Sequence, residues 1–113
     1  MSDFLIIGGG VIGMMLAREL AQSGAEITIV DRKACAKEAS WAGGGIVSPL
    51  YPWRYPDAVT QLATWSQSSY IHLSQDLLEE TGCDPELRQK GMFMVDVEDH
   101  KEALDWAQKF HRS

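Results

Sequence analysis

Three glycines spaced Gly8-x-Gly10-x-x-Gly13, set directly behind the apolar run Phe4-Leu5-Ile6-Ile7, constrain this chain more than any other feature. An apolar run ended by glycine suits a strand buried on both faces of a parallel sheet. From Val11 to Ser23 the pattern turns helical, with Ile12, Leu16 and Leu20 on one stripe and Arg18, Glu19 and Gln22 facing away. Gly24 then serves as a C-terminal cap, and Ile27-Thr28-Ile29-Val30 forms a second β-branched run ended by Asp31. Strand, turn, helix and strand make one βαβ unit with a right-handed crossover. The expected fold class is α/β, beginning with a Rossmann-like unit.

In that setting each glycine has a separate task. Gly8 permits the tight turn, Gly10 lets the backbone approach a pyrophosphate, and Gly13 lets helix and strand pack closely. The amides around Val11 and Ile12, at the positive end of the helix, would face the phosphates. A ligand-free structural turn is the competing reading. The acid that closes the second strand, 23 residues after Gly8, favours the dinucleotide. Asp31 is the expected acceptor for ribose hydroxyls. It also disfavours a 2′-phosphate, since like charges about 4 Å apart repel by roughly 4 kcal/mol at an effective dielectric near 20. Arg32 and Lys33 would offset part of that repulsion.

A helix N-terminus contributes only about 0.3–1 kcal/mol to holding a charge, so a cofactor needs further contacts. The loop from Ala39 to Val47 is the expected source. Ser40 offers a hydroxyl to a phosphate, and Gly43, Gly44 and Gly45 let the backbone come close to a flat ring system. The whole stretch from Lys33 to Pro56 lacks a period, which in a compact domain usually marks function. A helix is predicted over Ala58 to Glu80, with Val59, Leu62, Ala63, Tyr70, Leu73 and Leu77 near one face. Met92 to Val97 alternates as a half-buried strand, and a last helix starts near Asp99 with Ala103, Leu104, Ala107 and Phe110 inward. The division expected from this pattern is residues 1–56 and 57–113. Two parallel strands with one crossover do not close a core, so the chain is expected to be the N-terminal part of a longer protein.

Composition narrows the function classes. The 113 residues are 45% apolar and 23% charged with a net charge of −6, so nonspecific attraction to nucleic acid or an anionic membrane is not expected. The uncharged stretch from Phe4 to Ala17 is too short to span a bilayer, and Ser2-Asp3 stand where a signal peptide needs positive charge. The cytoplasm is the expected compartment. Cys35 and Cys83 have neither disulfide nor zinc spacing, and no metal site is expected. Cys35 reads as a surface thiol. His72, His100 and His111 read as surface positions, and Tyr51, Trp53 and Tyr55 as packing between loop and core.

Three stretches together resemble a known family: Ile6-Ile7-Gly8-Gly9-Gly10-Val11-Ile12-Gly13, Val30-Asp31-Arg32, and Glu38-Ala39-Ser40-Trp41-Ala42-Gly43-Gly44-Gly45-Ile46-Val47-Ser48-Pro49. They are similar to the N-terminus of the FAD-dependent glycine oxidases, within the D-amino-acid oxidase superfamily, which serve thiamine biosynthesis in bacteria. Lys90-Gly91-Met92-Phe93 resembles the start of that family's substrate-domain sheet. The likeness covers the whole chain, and the family is roughly three times as long. The resemblance implies FAD, a small amino-acid or amine substrate, and oxygen. Hydride passes from the substrate Cα to the flavin, hydrogen peroxide is released, and the imine gives glyoxylate or is used for the thiazole ring.

By matching positions, the resemblance puts Val11 and Ile12 at the pyrophosphate and Asp31 and Arg32 at the adenosine. It puts Ala39 and Ser40 at the phosphates, and Gly44, Gly45 and Ile46 at the isoalloxazine. Many relatives carry Glu at the position of Asp31. The Arg and Tyr that hold the substrate carboxylate belong to the family's later half, so no catalytic side chain is named here. This stretch alone is expected not to turn over, and the full-length family member is expected to be a homo-oligomer. Other readings stay open: a D-amino-acid dehydrogenase, a sarcosine oxidase, or a nucleotide-binding module without redox chemistry.

Overall fold

The computed structural model describes residues 1–112, and they divide into two compact units, Met1–Ile46 and a second from Val47 onward. The division by role drawn from the sequence lies ten residues later, at 56/57. The aromatic and proline-rich stretch between the two boundaries groups by contact with the helices that follow it.

The first unit is the βαβ unit. Strand β1 (Phe4–Ile7) leads through the glycine turn into helix α1 (Val11–Gln22), and strand β2 (Ile27–Val30) returns beside β1. The strands are parallel, with Phe4 opposite Ile27 and Ile7 opposite Val30. The ladder continues past its ends: Asp3 N–H donates to the Glu26 carbonyl (2.8 Å) and Gly8 N–H to the Val30 carbonyl (2.8 Å). Helix α1 ends through Ser23, and Gly24 follows in the left-handed region with its N–H on the Ala21 carbonyl. A short helix α2 (Ala39–Ala42) forms after β2, within the stretch expected to be loop.

Two expectations about this unit require correction. The strands form where predicted but are not buried on both faces: Leu5 and Ile7 are exposed, Ile7 to 85%. Among the described residues α1 is the one helix against this pair, and one helix covers one face of a sheet. Of the stripe Ile12-Leu16-Leu20 only Leu20 faces inward, because Ile12 is 82% exposed and Leu16 is exposed. The inward side carries buried Gly13 with Ala17 and Leu20 half-buried, spaced i, i+4, i+7. Small residues lie there because the helix approaches the turn too closely for larger ones.

In the second unit a 3₁₀ turn (Pro52–Arg54) precedes the long helix α3 (Asp57–Thr81), and α4 (His100–Lys109) completes the order. Gly82 ends α3 in the left-handed conformation, its N–H on the Leu78 carbonyl (2.8 Å). Of the face expected on α3, Ala63, Tyr70, Leu73 and Leu77 are half-buried, whereas Val59 and Leu62 are exposed. Thr60 is the buried residue of α3, 4% exposed, and its hydroxyl accepts the Trp106 indole N–H (3.1 Å). On α4 the inward side is Ala103, Trp106, Ala107 and Phe110, with Leu104 exposed. The strand expected over Met92–Val97 does not form. The described residues contain one sheet of two strands, Phe93 is 92% exposed, and Asp96 sits at φ +58°, which breaks an extended run. Alternation of apolar residues supplies a face for a strand, but a strand needs a hydrogen-bonded neighbour.

A clasp ties the 3₁₀ turn to the start of α4. The Asp99 carboxylate accepts from the Trp53 indole N–H (2.7 Å), Arg54 Nε (2.6 Å) and an Arg54 terminal nitrogen (2.8 Å). Arg54 also lies over the Tyr51 ring, 4.4 Å from its centroid, and Tyr51 meets Trp53 edge-on at 5.6 Å. The Arg54 guanidinium, helped by the indole N–H, holds the Asp99 carboxyl well below its ordinary value of 3.8. A depressed carboxyl stabilises the fold above its unfolded pKa and loses that contribution as pH falls through the lower folded value. Thermal midpoints of the wild type should therefore fall below about pH 4, and Asp99→Asn should lack that component of the decline. Identical pH profiles for the two proteins would show that the clasp does not stabilise the fold.

Candidate functional site

The glycine turn is held on three sides by bonds that its sequence does not announce. Gly8 adopts φ +110°, a conformation that side-chain-bearing residues rarely tolerate. Gly9, an unspecified position in the fingerprint, donates its N–H to Asp31 Oδ2 (2.7 Å) and accepts the Ala36 N–H on its carbonyl (2.8 Å). A Cβ at Gly9 would collide with the Cys35 side chain, so a larger residue here requires Cys35 to move. Cys35 is an exposed free thiol, as read from sequence, and its sulfur also walls the turn. A Cβ at Gly13 would overlap the Gly8 carbonyl oxygen and lie 3.3 Å from Ile6 Cγ2, which is the close helix–strand approach expected there.

Asp31 and Ser40 complete the cradle. Asp31 Oδ1 accepts the Lys33 N–H (2.9 Å) while Oδ2 holds Gly9. The Lys33 amide first, then the Gly9 amide and the nearby Arg32 charge, keep this carboxyl below its ordinary 3.8, so it is ionised at neutral pH. Ser40, in the first turn of α2, accepts the Val11 N–H on its hydroxyl (2.9 Å), which satisfies one of the free amides of the α1 N-terminus. A Cβ at Gly10 would stand 3.2 Å from the same hydroxyl.

A cavity of about 230 Å³ lies between these groups, lined by Gly8, Gly9, Gly10, Asp31, Ala39 and Ser40 together with Lys37 and Glu38. That is below the roughly 300–1,000 Å³ of sites that enclose a whole drug-sized ligand. Its donors suit a diphosphate and the edge of a ribose. Residues more than twenty positions apart converge here because β1 and β2 end side by side, which brings the glycine turn next to Asp31.

Not every predicted site residue lines this cavity. The Val11 backbone takes part through its bond to Ser40, whereas Ile12 projects outward and Gly13 lies beneath the turn. Arg32 is turned toward Glu38, with Nε and a terminal nitrogen each within 3.2 Å of both carboxylate oxygens. Lys33 joins that pair at 3.2 Å. Gly44, Gly45 and Ile46 follow α2 as exposed backbone outside the cavity lining. Sequence reasoning missed Gly9 and the Arg32–Glu38 pair. The pair is joined across a stretch without regular structure, so no periodic pattern signals it.

A larger cavity, about 760 Å³, belongs to the second unit, lined by apolar groups such as Met92, Met94 and Leu104. Two polar groups at its wall are engaged: the Trp106 indole N–H donates to Thr60, and Arg112 donates to Thr64 at 2.7 Å. Among the described residues no group of three or more His, Cys, Asp or Glu is placed to hold a metal ion. No helix among them is long and apolar enough to cross a membrane.

Residues 3–113 match the sequence pattern of DAO, the FAD dependent oxidoreductases. The chain belongs to that family. It is 56% identical over 108 residues to a glycine oxidase of Pseudomonas aeruginosa strain PAO1, which covers 96% of this chain and 30% of that enzyme. Identity to a glycine oxidase of Pseudomonas putida KT2440 is 48% over the same shares. A D-amino acid dehydrogenase of Cereibacter sphaeroides is 42% identical over 64 residues, 54% of this chain and 15% of that enzyme. Among solved structures, a glycine oxidase from Bacillus cereus ATCC 14579 superposes with a TM-score of 0.76 at 33% identity, covering all of this chain and 31% of that one. The chain thus spans about 30% of the length of the glycine oxidases it matches. FAD is the cofactor of the DAO family, and the α/β start seen here is in keeping with its FAD-binding fold.

Proposed function

We propose that this chain is the FAD-binding N-terminal portion of an amine oxidase acting on glycine and related small amines or D-amino acids. The observation that carries this reading is the cradle itself, in which Asp31 and Ser40 hold backbone amides around a glycine-lined cavity. Within it the Gly10 amide and the Ser40 hydroxyl bind the diphosphate, and Asp31 accepts from the ribose. Arg32 lies toward the adenosine, steadied by Glu38. Ala39 stands at the phosphates, and Gly44, Gly45 and Ile46 approach the isoalloxazine ring with main chain in place of bulk. When bound, FAD would supply the two-electron acceptor for the substrate Cα–H and the route of those electrons to oxygen as hydrogen peroxide. This chain's residues bind and orient, and the groups that hold the substrate belong to the family's later half. The pathway implied is thiazole formation in thiamine biosynthesis, carried out in the cytoplasm by a homo-oligomer.

Similarity to D-amino acid dehydrogenases over about half the chain favours a second reading, in which the electrons leave to another acceptor. Two measurements on the whole protein test both. Reconstitution with FAD should give bands near about 375 and about 450 nm, and their absence removes the flavoenzyme reading. Oxygen consumption with peroxide release on addition of glycine supports the oxidase. Dye reduction without peroxide supports the dehydrogenase.

A further inference from the structure

The segment after β2 carries three cations, Arg32, Lys33 and Lys37, and the structure treats them differently. Glu38 engages the first two, at 2.7 Å and 3.2 Å, and neither lines the glycine cavity. Lys37 does line it, and its ammonium lies over the Trp41 ring, 3.8 Å from the centroid, with no carboxylate partner among the described residues. A cation on the exposed face of an indole keeps its formal charge, and the flexible lysine stem can redirect it at little cost.

The charges around the cavity give that difference a consequence. The lining holds two carboxylates, Asp31 and Glu38, and one ammonium, Lys37. Arg32 and Lys33 offset the charge of Glu38, so Asp31 is the carboxylate that repels an entering diphosphate, while the α1 N-terminus returns only about half an elementary charge. Lys37 is the full positive charge on the wall itself, three residues from the Ser40 hydroxyl that marks the phosphate position. We propose that Lys37 is a diphosphate-binding residue of this site, reaching the anion from its place over Trp41. The proposal rests on the reading of the cavity as the FAD diphosphate site. It makes Trp41 the residue that keeps Lys37 out of an ion pair and near the cavity mouth.

Titration of the whole apoprotein with FAD, ADP and adenosine tests it. Lys37→Ala and Lys37→Gln should weaken FAD and ADP about tenfold and leave adenosine within about twofold, with Lys37→Arg retaining most of the affinity. Affinity of the wild type for ADP should fall more steeply with added salt than that of Lys37→Ala. Lys101→Ala, which removes an exposed cation of α4 outside the cavity lining, should stay within about twofold for all three ligands. Wild-type affinity for FAD and ADP in Lys37→Ala would overturn the proposal and leave the cofactor site standing. Equal losses for ADP and adenosine would also overturn it, by making Lys37 a structural residue. A wild type that binds neither FAD nor ADP would remove the cofactor-site reading and the proposal with it.

Discussion

Gly13→Ala should yield protein that retains little or no FAD and unfolds at lower denaturant concentration. The added methyl would overlap the Gly8 carbonyl oxygen and approach Gly8 C to 3.1 Å and Ile6 Cγ2 to 3.3 Å. Neither side can yield cheaply. Gly8 is tied by its N–H to the Val30 carbonyl, and Gly9 is tied to Asp31 and Ala36, so retreat of the turn breaks the end of the sheet ladder and the cradle together. Lifting α1 away instead opens the close approach that aims its N-terminus at the cavity. Overpacking typically costs about 1–3 kcal/mol, and against tied main chain the cost should lie at or above the top of that range. No apolar side chain is buried among the described residues to absorb it. The checks are the ratio of flavin to protein absorbance and a urea unfolding curve on the whole protein. Gly43→Ala is the control, because its Cβ meets only ordinary contacts at 3.5 Å and beyond. Unchanged flavin content and midpoint in Gly13→Ala would show that helix and turn are not in the close register described.

Asp31→Ala should weaken FAD binding about a hundredfold, since one carboxylate organises the turn and accepts from the ribose. Its removal leaves the Gly9 and Lys33 amides without their acceptor, so the turn loosens before any ligand arrives. Asp31→Asn keeps one acceptor oxygen and should fall between. Asp31→Glu, which keeps the carboxylate on a longer arm, should recover most of the affinity. Because the native carboxyl titrates below 3.8, wild-type affinity should hold from neutral pH down to about pH 4 and fall below it as the group protonates. Asp31→Asn should show a flatter profile. FAD affinity of Asp31→Ala within about twofold of wild type would place the ribose elsewhere.

How much could be read in the chain before any coordinates follows from the range of each interaction. The two strands, α1 and α4 stand within about one residue of their expected bounds, and α3 matches to one residue at either end, because hydrophobic period and glycine stops act over a few neighbours. Burial was read less well. Ile12, Leu16, Val59, Leu62 and Leu104 carry the right period for an inward face and are exposed, since period names a face but not what lies against it. The strand over Met92–Val97 failed for the same reason, lacking any hydrogen-bonded neighbour.

The sequence by itself determined the βαβ order, the three fingerprint glycines, the acid that answers them across the sheet, and membership of a flavin family. Each of these is a local pattern or a residue type at a set spacing. Only the tertiary structure decided that Gly9 is held by Asp31 and Ala36 against Cys35, that Glu38 takes Arg32 and Lys33 away from the cavity, and that Lys37 stays on its wall. Those outcomes depend on which groups meet when β1 and β2 end side by side, and distances between residues twenty or thirty positions apart are not written in any local period.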